Sequence, residues 1–487
     1  MNKNKAKSAS DERITKYYVR ITQCFSSLRR RFVQKIKAMK RLSYKLLLLS
    51  SLLFLFQWTA PVYSQESPKG IFIPHKQAQE DDYQNPDSRF NYKYKAESEN
   101  FVVFWDKSFG LNPANYPDKK RRFNPDEFLK EGERFFAYYR DKLKFVDKKR
   151  SNLKKHKMIL YMYNDAETTA YGWGADKVGM MWFRPCRILQ YPYCPLAHEM
   201  AHSFQYMVEA DGHKGYAGHS IIEYCAQWML WQVYPDWTTI ENYHLKSYMD
   251  KTHYALMHRT NMYHAPQMME YWSNKHGLGI IGRMWRETKA DEDPVSTYQR
   301  LTKISQKQFN DEVYDAATRF VTWDIPRIEK VCAQYANQHH SKLDAIGNSW
   351  YQIAASRCPQ NYGYNAIRLN VPDEGEKISL DFKGIAGDKR FCTLHSDRAG
   401  WRYGFLAVKK NGKTKYGKMH IGKNGENEVI SFNIPKDTEY LWLIVTGAPT
   451  KHNKHLKEKK DEIYEQWPYQ IRLSGTTPHK AVLNSPK

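Results

Sequence analysis

Residues 196–206 read Leu-Ala-His-Glu-Met-Ala-His-Ser-Phe-Gln-Tyr, and this mostly apolar run predicts a buried helix. Four helical residues turn the chain by about 400°, so His198 and His202 leave the same face about one turn apart. Two neutral imidazoles placed in this way bind one Zn²⁺ at about 2.0–2.1 Å each. Glu199 points to the side of the pair, where it holds water for the metal rather than the metal itself. The stretch therefore predicts a helix that supplies two zinc ligands and a base.

A five-residue motif can also arise by chance, in a helix whose histidines only pack. A third ligand elsewhere in the sequence is therefore needed to support the zinc assignment. Glu223 follows His202 by 21 residues and belongs to a second apolar helical run over residues 222–230. The glycine-rich segment 211–218 between the two runs predicts a turn. A helix, a turn and an antiparallel helix bring Glu223 back over the histidines. Two histidines and one glutamate leave the fourth tetrahedral position open, as catalytic zinc requires.

A His-Glu-x-x-His helix followed by a helical glutamate about twenty residues later resembles the zincin metallopeptidases of the gluzincin, or thermolysin-like, branch. More closely, residues 100–477 resemble an uncharacterised family of secreted bacterial zincin-like proteins with a β-rich C-terminal part. The resemblance implies that His198, His202 and Glu223 are zinc ligands and that Glu199 is the general base. Glu223 departs from the thermolysin-like pattern, since no asparagine precedes it and no aspartate follows at the usual place.

Three further residues are candidates for the remaining roles. His219 precedes Glu223 by four residues, and its role is open between partner of a ligand, oxyanion donor, competing ligand and a neighbour of the helix N-cap without a chemical role. Zincins of this branch take a tyrosine or histidine donor from the downstream helical region. By that analogy Tyr263 and His264 are candidates for the donor. The other histidines, His244 among them, are expected to pack or to lie at the surface.

Residues 1–64 have the pattern of a signal peptide, with Met39 as an alternative start. They are basic through residue 45, apolar over residues 46–56, and end in the small residue Ser64. The apolar run of 11 residues is shorter than the roughly 20 that span a bilayer, although an uncleaved anchor is the alternative. The pattern predicts export to the periplasm or the exterior, with no stable membrane span after cleavage.

The formal net charge of +24 overstates the basicity of the exported part. Residues 1–64 hold 14 basic and 2 acidic side chains, which leaves 62 basic against 50 acidic residues, or +12. A nucleic-acid partner is not expected for an exported chain without a recognised binding module. The six cysteines after residue 64 are too few for a disulfide scaffold, and the pairings Cys186–Cys194 and Cys358–Cys392 are open.

The expected fold class is α+β. A zincin-like domain with a mixed sheet and a helical subdomain precedes a C-terminal β-sandwich. The predicted organisation is 1–64 signal peptide, 65–98 linker or arm, 99–345 zincin-like catalytic domain, 346–478 β-sandwich domain and 479–487 tail.

Hydrophobic patterns predict the individual elements. Strands are expected at 101–105, 157–163 and 178–183, with a helix at 125–145. The strand at 178–183 directly precedes the zinc helix and is expected either to form the sheet edge that pairs with an extended substrate or to be covered. Alternating strands separated by turn residues are expected in the C-terminal part at 365–371, 378–382, 405–409, 429–434, 440–445 and 469–473.

The functional expectation is a secreted zinc metallopeptidase that cleaves a protein, peptide or glycoprotein. The β-sandwich is expected to contact substrate, a glycan or a cell surface. One alternative is a non-catalytic carbohydrate or cell-surface binding protein on a zincin scaffold. Another is a zinc amidase that acts on glycopeptide or peptidoglycan. The complete set of two histidines and two glutamates argues against the non-catalytic alternative, because a decayed site usually loses a ligand or the base.

Overall fold

The computed structural model describes residues 68–188, 193–457 and 463–485, and its N-terminal half is organised around a five-stranded mixed sheet. The strands are β1 (Lys95–Glu97), β2 (Phe101–Trp105), β3 (Met158–Met162), β4 (Tyr171–Ala175) and β5 (Val178–Phe183). Their order is β1-β2-β3-β5-β4, with β2, β3 and β5 parallel and the two outer strands antiparallel to their neighbours. β2 and β3 are uninterrupted apolar runs that are buried throughout, as expected for strands covered on both faces.

Of the two positions left open for the strand at 178–183, the sheet edge is wrong and the covered position is found. β5 bonds β3 on one side and β4 on the other, so β4 is the edge strand. The sequence of β4, Tyr-Gly-Trp-Gly-Ala, gives little strand signal because two of its five residues are glycines. Gly172 is required by close packing, since a Cβ there would lie 1.9 Å from the carbonyl oxygen of Glu199. β4 therefore runs directly against the helix that carries the zinc motif.

Helices cover one face of this sheet and continue into a helical region. The first long helix begins at Pro125, where the Asn124 side chain accepts hydrogen bonds from the first backbone N–H groups. The helices are α1 (His75–Glu80), α2 (Pro125–Ala137), α3 (Pro185–Ile188), α4 (Cys194–Ala210), α5 (Ile221–Val233), α6 (Trp237–Ile240), α7 (Asn242–Asp250), α8 (Gln267–His276), α9 (Ile280–Glu287), α10 (Pro294–Thr302), α11 (Gln306–Phe320) and α12 (Glu329–Cys332). A π-helical turn over Tyr138–Lys142 prolongs α2, so the helix predicted at 125–145 is found with a looser last turn.

Residues 68–98, expected to be a linker or arm, instead cover the second face of the sheet. Tyr83 and Phe90 are buried against the side chains of β2 and β3 that point away from the helices. The hydroxyl of Tyr83 lies 2.6 Å from the hydroxyl of Tyr161 in β3. The mostly polar composition of the segment did not indicate this role. A few aromatic residues are nevertheless enough to cover a small sheet.

The C-terminal part consists of two further five-stranded sheets. The strands are β6 (Leu343–Ala345), β7 (Trp350–Ile353), β8 (Tyr364–Leu369), β9 (Lys377–Gly384), β10 (Gly400–Lys409), β11 (Thr414–Tyr416), β12 (His420–Lys423), β13 (Asn427–Asn433), β14 (Thr438–Gly447) and β15 (Tyr469–Ser474). One sheet has the order β11-β10-β14-β8, with β12 also paired to β10, and the other has the order β13-β9-β15-β7-β6. Each of the six strands predicted in this part overlaps an observed strand.

Alternate residues of the two C-terminal sheets share one core. Leu380 and Phe382 of β9 meet Tyr403 of β10 and Leu443 of β14 in a single cluster. The opposite face of β10 and β14 is also buried, because residues such as Trp442 join the core of the helical region. The mixed α and β composition and the β-rich C-terminal part are thus confirmed. One sheet of that part packs against the helices rather than standing apart from them.

The predictions about the signal peptide, membrane spans and disulfides have separate outcomes. The predicted signal peptide, residues 1–64, lies outside the described residues. Within the described part of the chain, no helix combines the length and the apolarity needed to cross a bilayer. The cysteines at 186, 194, 358 and 392 are free, so neither pairing left open by the sequence is formed.

Candidate active site

Two neighbouring helices carry the predicted metal ligands. α4 buries Leu196, Met200 and Phe204 in the main core, which turns the face with His198 and His202 towards α5. The amide of Gln205 in α4 donates a 2.9 Å hydrogen bond to the carbonyl of Ile222, the residue before Glu223. This hydrogen bond connects the two helices next to the candidate ligands.

The three donor atoms form a nearly equilateral triangle. Nε2 of His198 and Nε2 of His202 lie 3.2 Å from one another, and each lies 3.2 Å from Oε2 of Glu223. A tetrahedral ion with donors at about 2.0–2.1 Å holds any two of them about 3.3 Å apart. The triangle thus has the size that fits one zinc ion, and among the described residues it is the cluster of histidine, cysteine and acidic side chains that could hold a metal.

Gln205 fixes the orientation of one imidazole. Its side-chain oxygen lies 3.0 Å from Nδ1 of His202, and Gln205 itself is fully buried. When Nδ1–H donates to this oxygen, the proton is kept off Nε2, whose lone pair then points at Glu223 and His198. The residue that orients the ligand was missed by the sequence analysis. Its position three residues after His202, on the same face of α4, was the available signal.

Charge in the triangle favours a cation at its centre. Burial by itself would lower the pKa of His202, but the hydrogen bond and the charge of Glu223 raise it to about 8. Burial would likewise raise the pKa of Glu223, but the two imidazoles hold that pKa well below its usual value. A carboxylate that stays ionised beside two imidazoles attracts either a proton or a metal ion.

The triangle lies in a cleft of about 770 Å³. One wall is formed by residues 168–173, which include the start of the edge strand β4. A second wall is formed by α4 and α5, and a third by residues 237–244 together with Tyr263. One shared space is therefore lined by the edge strand, the triangle and Glu199. An extended chain has room to lie in it.

Glu199 lines the same cleft beside the triangle. It follows His198 directly and is turned to the side, so it does not take part in the cluster of donor atoms. Its backbone is fixed from two directions, because its carbonyl abuts Gly172 of β4 and accepts a 3.3 Å hydrogen bond from Ser203. The charge of Glu199 acts on both His202 and Tyr263, so its carboxylate lies near the triangle.

Tyr263 reaches the site from the opposite wall. Its ring is stacked on His198 with centroids 6.3 Å apart, and its backbone carbonyl accepts a 3.2 Å hydrogen bond from Gln227 of α5. Burial, followed by the charge and the hydrogen bond of Glu223, raises the pKa of Tyr263 above its usual value. The hydroxyl keeps its proton and is available as a hydrogen-bond donor near the triangle.

The structure does not bring His219 into the cleft. α5 begins only at Ile221, so His219 precedes the helix and the helical spacing to Glu223 does not apply. Its Nδ1 accepts a 3.0 Å hydrogen bond from the N–H of Ile221, and its ring lies against His455. Burial and then the neighbouring His455 lower the pKa of His219 to about 4. Of the roles left open, that of a neighbour of the helix N-cap describes its position, since Ser220 is the N-cap residue.

His264 also stays behind the cleft wall, whereas His244 lines it. Nδ1 of His264 lies 2.7 Å from Nδ1 of His244, and Nε2 of His244 lies 3.4 Å from a carboxylate oxygen of Glu241. Burial and then His244 lower the pKa of His264 to about 4. His244 packs against His264, as expected of the remaining histidines, and it also lines the cleft, which its spacing in the sequence did not indicate.

Comparisons with known proteins give a family but no activity. A family model described as a family of unknown function, DUF6055, matches residues 63–480. No curated protein matches the sequence significantly.

Similar solved structures cover only part of the chain. PirA is 12% identical with a TM-score of 0.15, covering 23% of this chain and 83% of PirA. A family 22 carbohydrate-binding module of Clostridium thermocellum Xyn10B is 14% identical with a TM-score of 0.17, covering 28% of this chain and 78% of the module. Tripeptidyl peptidase 2 is 13% identical with a TM-score of 0.18, covering 28% of this chain and 10% of the peptidase. Similarities at this level carry no argument about function.

Proposed function

The chain belongs to the DUF6055 family, and for this member we propose the activity of an exported, zinc-dependent metallopeptidase of the zincin type. The observation that carries the proposal is the triangle of donor atoms from His198, His202 and Glu223, with sides of 3.2 Å. Two histidines and one carboxylate are the ligand set of hydrolytic zinc sites that keep a fourth position open. The substrate we propose is a protein or peptide.

A bound zinc ion supplies a Lewis acid that acidifies water and polarises a carbonyl group. Glu199 is the proposed base, since its carboxylate lines the cleft beside the triangle without belonging to it. It takes the proton of the attacking water and later passes that proton to the leaving amine. Tyr263 is the proposed donor to the carbonyl oxygen as negative charge develops there, because its hydroxyl keeps its proton.

The edge strand β4 supports a peptide as the substrate. Residues 171–173 at its start line the cleft, and among the described residues no other strand of the sheet pairs with its outer edge. An extended peptide adds to such an edge through main-chain hydrogen bonds, independently of most of its side chains. In this arrangement the scissile carbonyl lies between the triangle and Tyr263, with Glu199 on the side of the attacking water.

The test is hydrolysis of casein by the purified mature protein, with mucin and peptidoglycan as parallel substrates. Addition of a chelator is expected to abolish hydrolysis, and added zinc is expected to restore it. Glu199→Gln is expected to lower hydrolysis by about 10²–10⁴-fold while zinc content is unchanged, because the base is lost and the ligands are kept. Zinc-loaded, folded protein that cleaves none of the three substrates would overturn the proposal. Cleavage of peptidoglycan alone would redirect it to the amidase alternative.

A further inference from the structure

The exposed aromatic side chains of the described residues are concentrated at the cleft. Large hydrophobic side chains are exposed at several places, but the aromatic ones among them are Tyr171, Tyr243 and Tyr263, at 57%, 56% and 37% exposure. All three line the cleft, together with the partly exposed Trp173 and Trp237. Exposed aromatic rings gathered in one cleft form a surface on which a ligand can pack.

The cleft is also acidic, although the protein as a whole is basic. Glu199, Glu223 and Glu241 line it, and no lysine or arginine does so within the described part of the chain. In the proposed function Glu223 holds the metal and Glu199 transfers a proton. The proposed chemistry gives no role to the third carboxylate, that of Glu241. Among the described residues, no lysine or arginine lines the cleft together with it.

The environment of Glu241 directs its charge towards the cleft. Glu241 lies at the junction of α6 and α7, and its side chain is 27% exposed. One of its oxygens lies 3.4 Å from Nε2 of His244, whose other nitrogen contacts His264. Burial, and then the charge of Glu241, raise the pKa of the Cys194 thiol at the start of α4 to about 12. Glu241 and Cys194 both line the cleft, so the negative charge of Glu241 lies within it.

We propose that Glu241, flanked by the rings of Tyr243 and Trp237, forms a subsite for a cationic ammonium or guanidinium group of the peptide substrate. A carboxylate beside aromatic faces is a favourable setting for such a group, because the ring quadrupole and the negative charge both attract it. Ring stacking holds this wall together, since Tyr243 packs on His244 with centroids 4.0 Å apart. The subsite gives the proposed peptidase a preference for a lysine or arginine side chain or for a free amino terminus.

The inference rests on the proposed function, so its test measures binding apart from cleavage. Glu199→Gln protein, loaded with zinc, is titrated at about pH 8 in a calorimeter, where a free imidazole is neutral. The probes are end-capped alanine hexapeptides with one lysine moved through each position, matched glutamine peptides, and a glutamine peptide with a free amino terminus. At least one lysine peptide, or the peptide with the free terminus, is expected to bind about tenfold tighter than its neutral counterpart.

A second substitution assigns the preference to Glu241. In Glu199→Gln/Glu241→Gln protein the tenfold ratio is expected to fall to about one, whereas Glu199→Gln/Glu374→Gln, with an exposed glutamate in the C-terminal part, keeps it. Equal binding of lysine and glutamine peptides, or a ratio that survives loss of Glu241, overturns the inference. If the ratio behaves as expected while wild-type protein cleaves nothing, the subsite stands and the peptidase proposal fails.

Discussion

Nδ1 of His202 lies 3.0 Å from the side-chain oxygen of Gln205, one turn further along the same buried helix. The amide nitrogen of Gln205 donates to the carbonyl of Ile222, so a single side chain orients one candidate ligand and positions the helix of another. Partners of this kind set the tautomer of a ligating histidine, and their loss weakens metal binding by about 10–100-fold.

Gln205→Leu is therefore expected to weaken zinc binding by about 10–100-fold, measured by competition with a chromophoric chelator. Gln205→Glu keeps an oxygen that accepts from His202 but replaces the donor to Ile222 with a charged oxygen, so its zinc affinity is expected to lie between those of Gln205→Leu and the wild type. Equal affinities for Gln205→Leu and the wild type would show that the contact does not prepare the ligand.

Gly172→Ala is expected to destabilise the protein by about 1–3 kcal/mol and to lower hydrolysis strongly. A Cβ at this position would lie 1.9 Å from the carbonyl oxygen of Glu199, and neither backbone can yield without moving β4 away from α4. Gly279→Ala is the matched control, because the nearest atom to its Cβ is a lysine side-chain carbon at 3.5 Å. Denaturant unfolding of the two variants checks the prediction, which fails if both alanines are equally tolerated.

Tyr263→Phe is expected to lower kcat by about 10²-fold with little change in KM or zinc content. The substitution keeps the ring that stacks on His198 and removes only the proposed donor to the developing negative charge. Tyr351→Phe, in strand β7 of the C-terminal part and outside the cleft lining, is the control and is expected to retain wild-type kcat. An unchanged kcat in Tyr263→Phe would remove this residue from the chemistry.

Acid is expected to destabilise the fold, because buried histidines resist protonation. His339 is a single residue at which this effect can be measured. Its Nε2 contacts the hydroxyl of Tyr364 at 2.8 Å, and burial followed by the nearby His340 lowers its pKa from 6.5 to about 3. The unfolded chain takes up a proton below about pH 6.5 while the folded chain does not, so the stability present above that pH is lost as the pH falls.

The contribution of His339 amounts to about 3 kcal/mol between pH 7 and about pH 4. His339→Gln, which can still bond Tyr364, is expected to lose about that much less stability over the same interval than the wild type. Denaturant unfolding at both pH values measures the difference. Parallel losses in the two proteins would mean that His339 does not titrate in this way.

Local periodicity explains what could be predicted from the sequence. His198 and His202 share a helical face because they are four residues apart, and the turn after α4 brings the helix of Glu223 back against that face. The C-terminal strands were visible because apolar residues alternate between glycine-containing turns. These features depend only on neighbours within about twenty residues.

Long-range packing explains what could not be predicted. β4 lacks a strand signal because Gly172 is selected by its contact with a distant helix, so the true edge strand was missed. His244 lines the cleft together with residues of α4 and α5 that are distant in sequence, which no local pattern encodes. The helical spacing between His219 and Glu223 does not apply, because the helix begins two residues after His219.

Metal quantification of the purified mature protein by mass spectrometry tests the central claim most directly. We expect about one zinc per chain in the wild type and in Glu199→Gln, and far less in Glu223→Ala and His202→Ala. A folded wild type that binds no zinc after reconstitution, or Glu223→Ala that retains a full equivalent, would contradict the claim that these side chains form one metal centre.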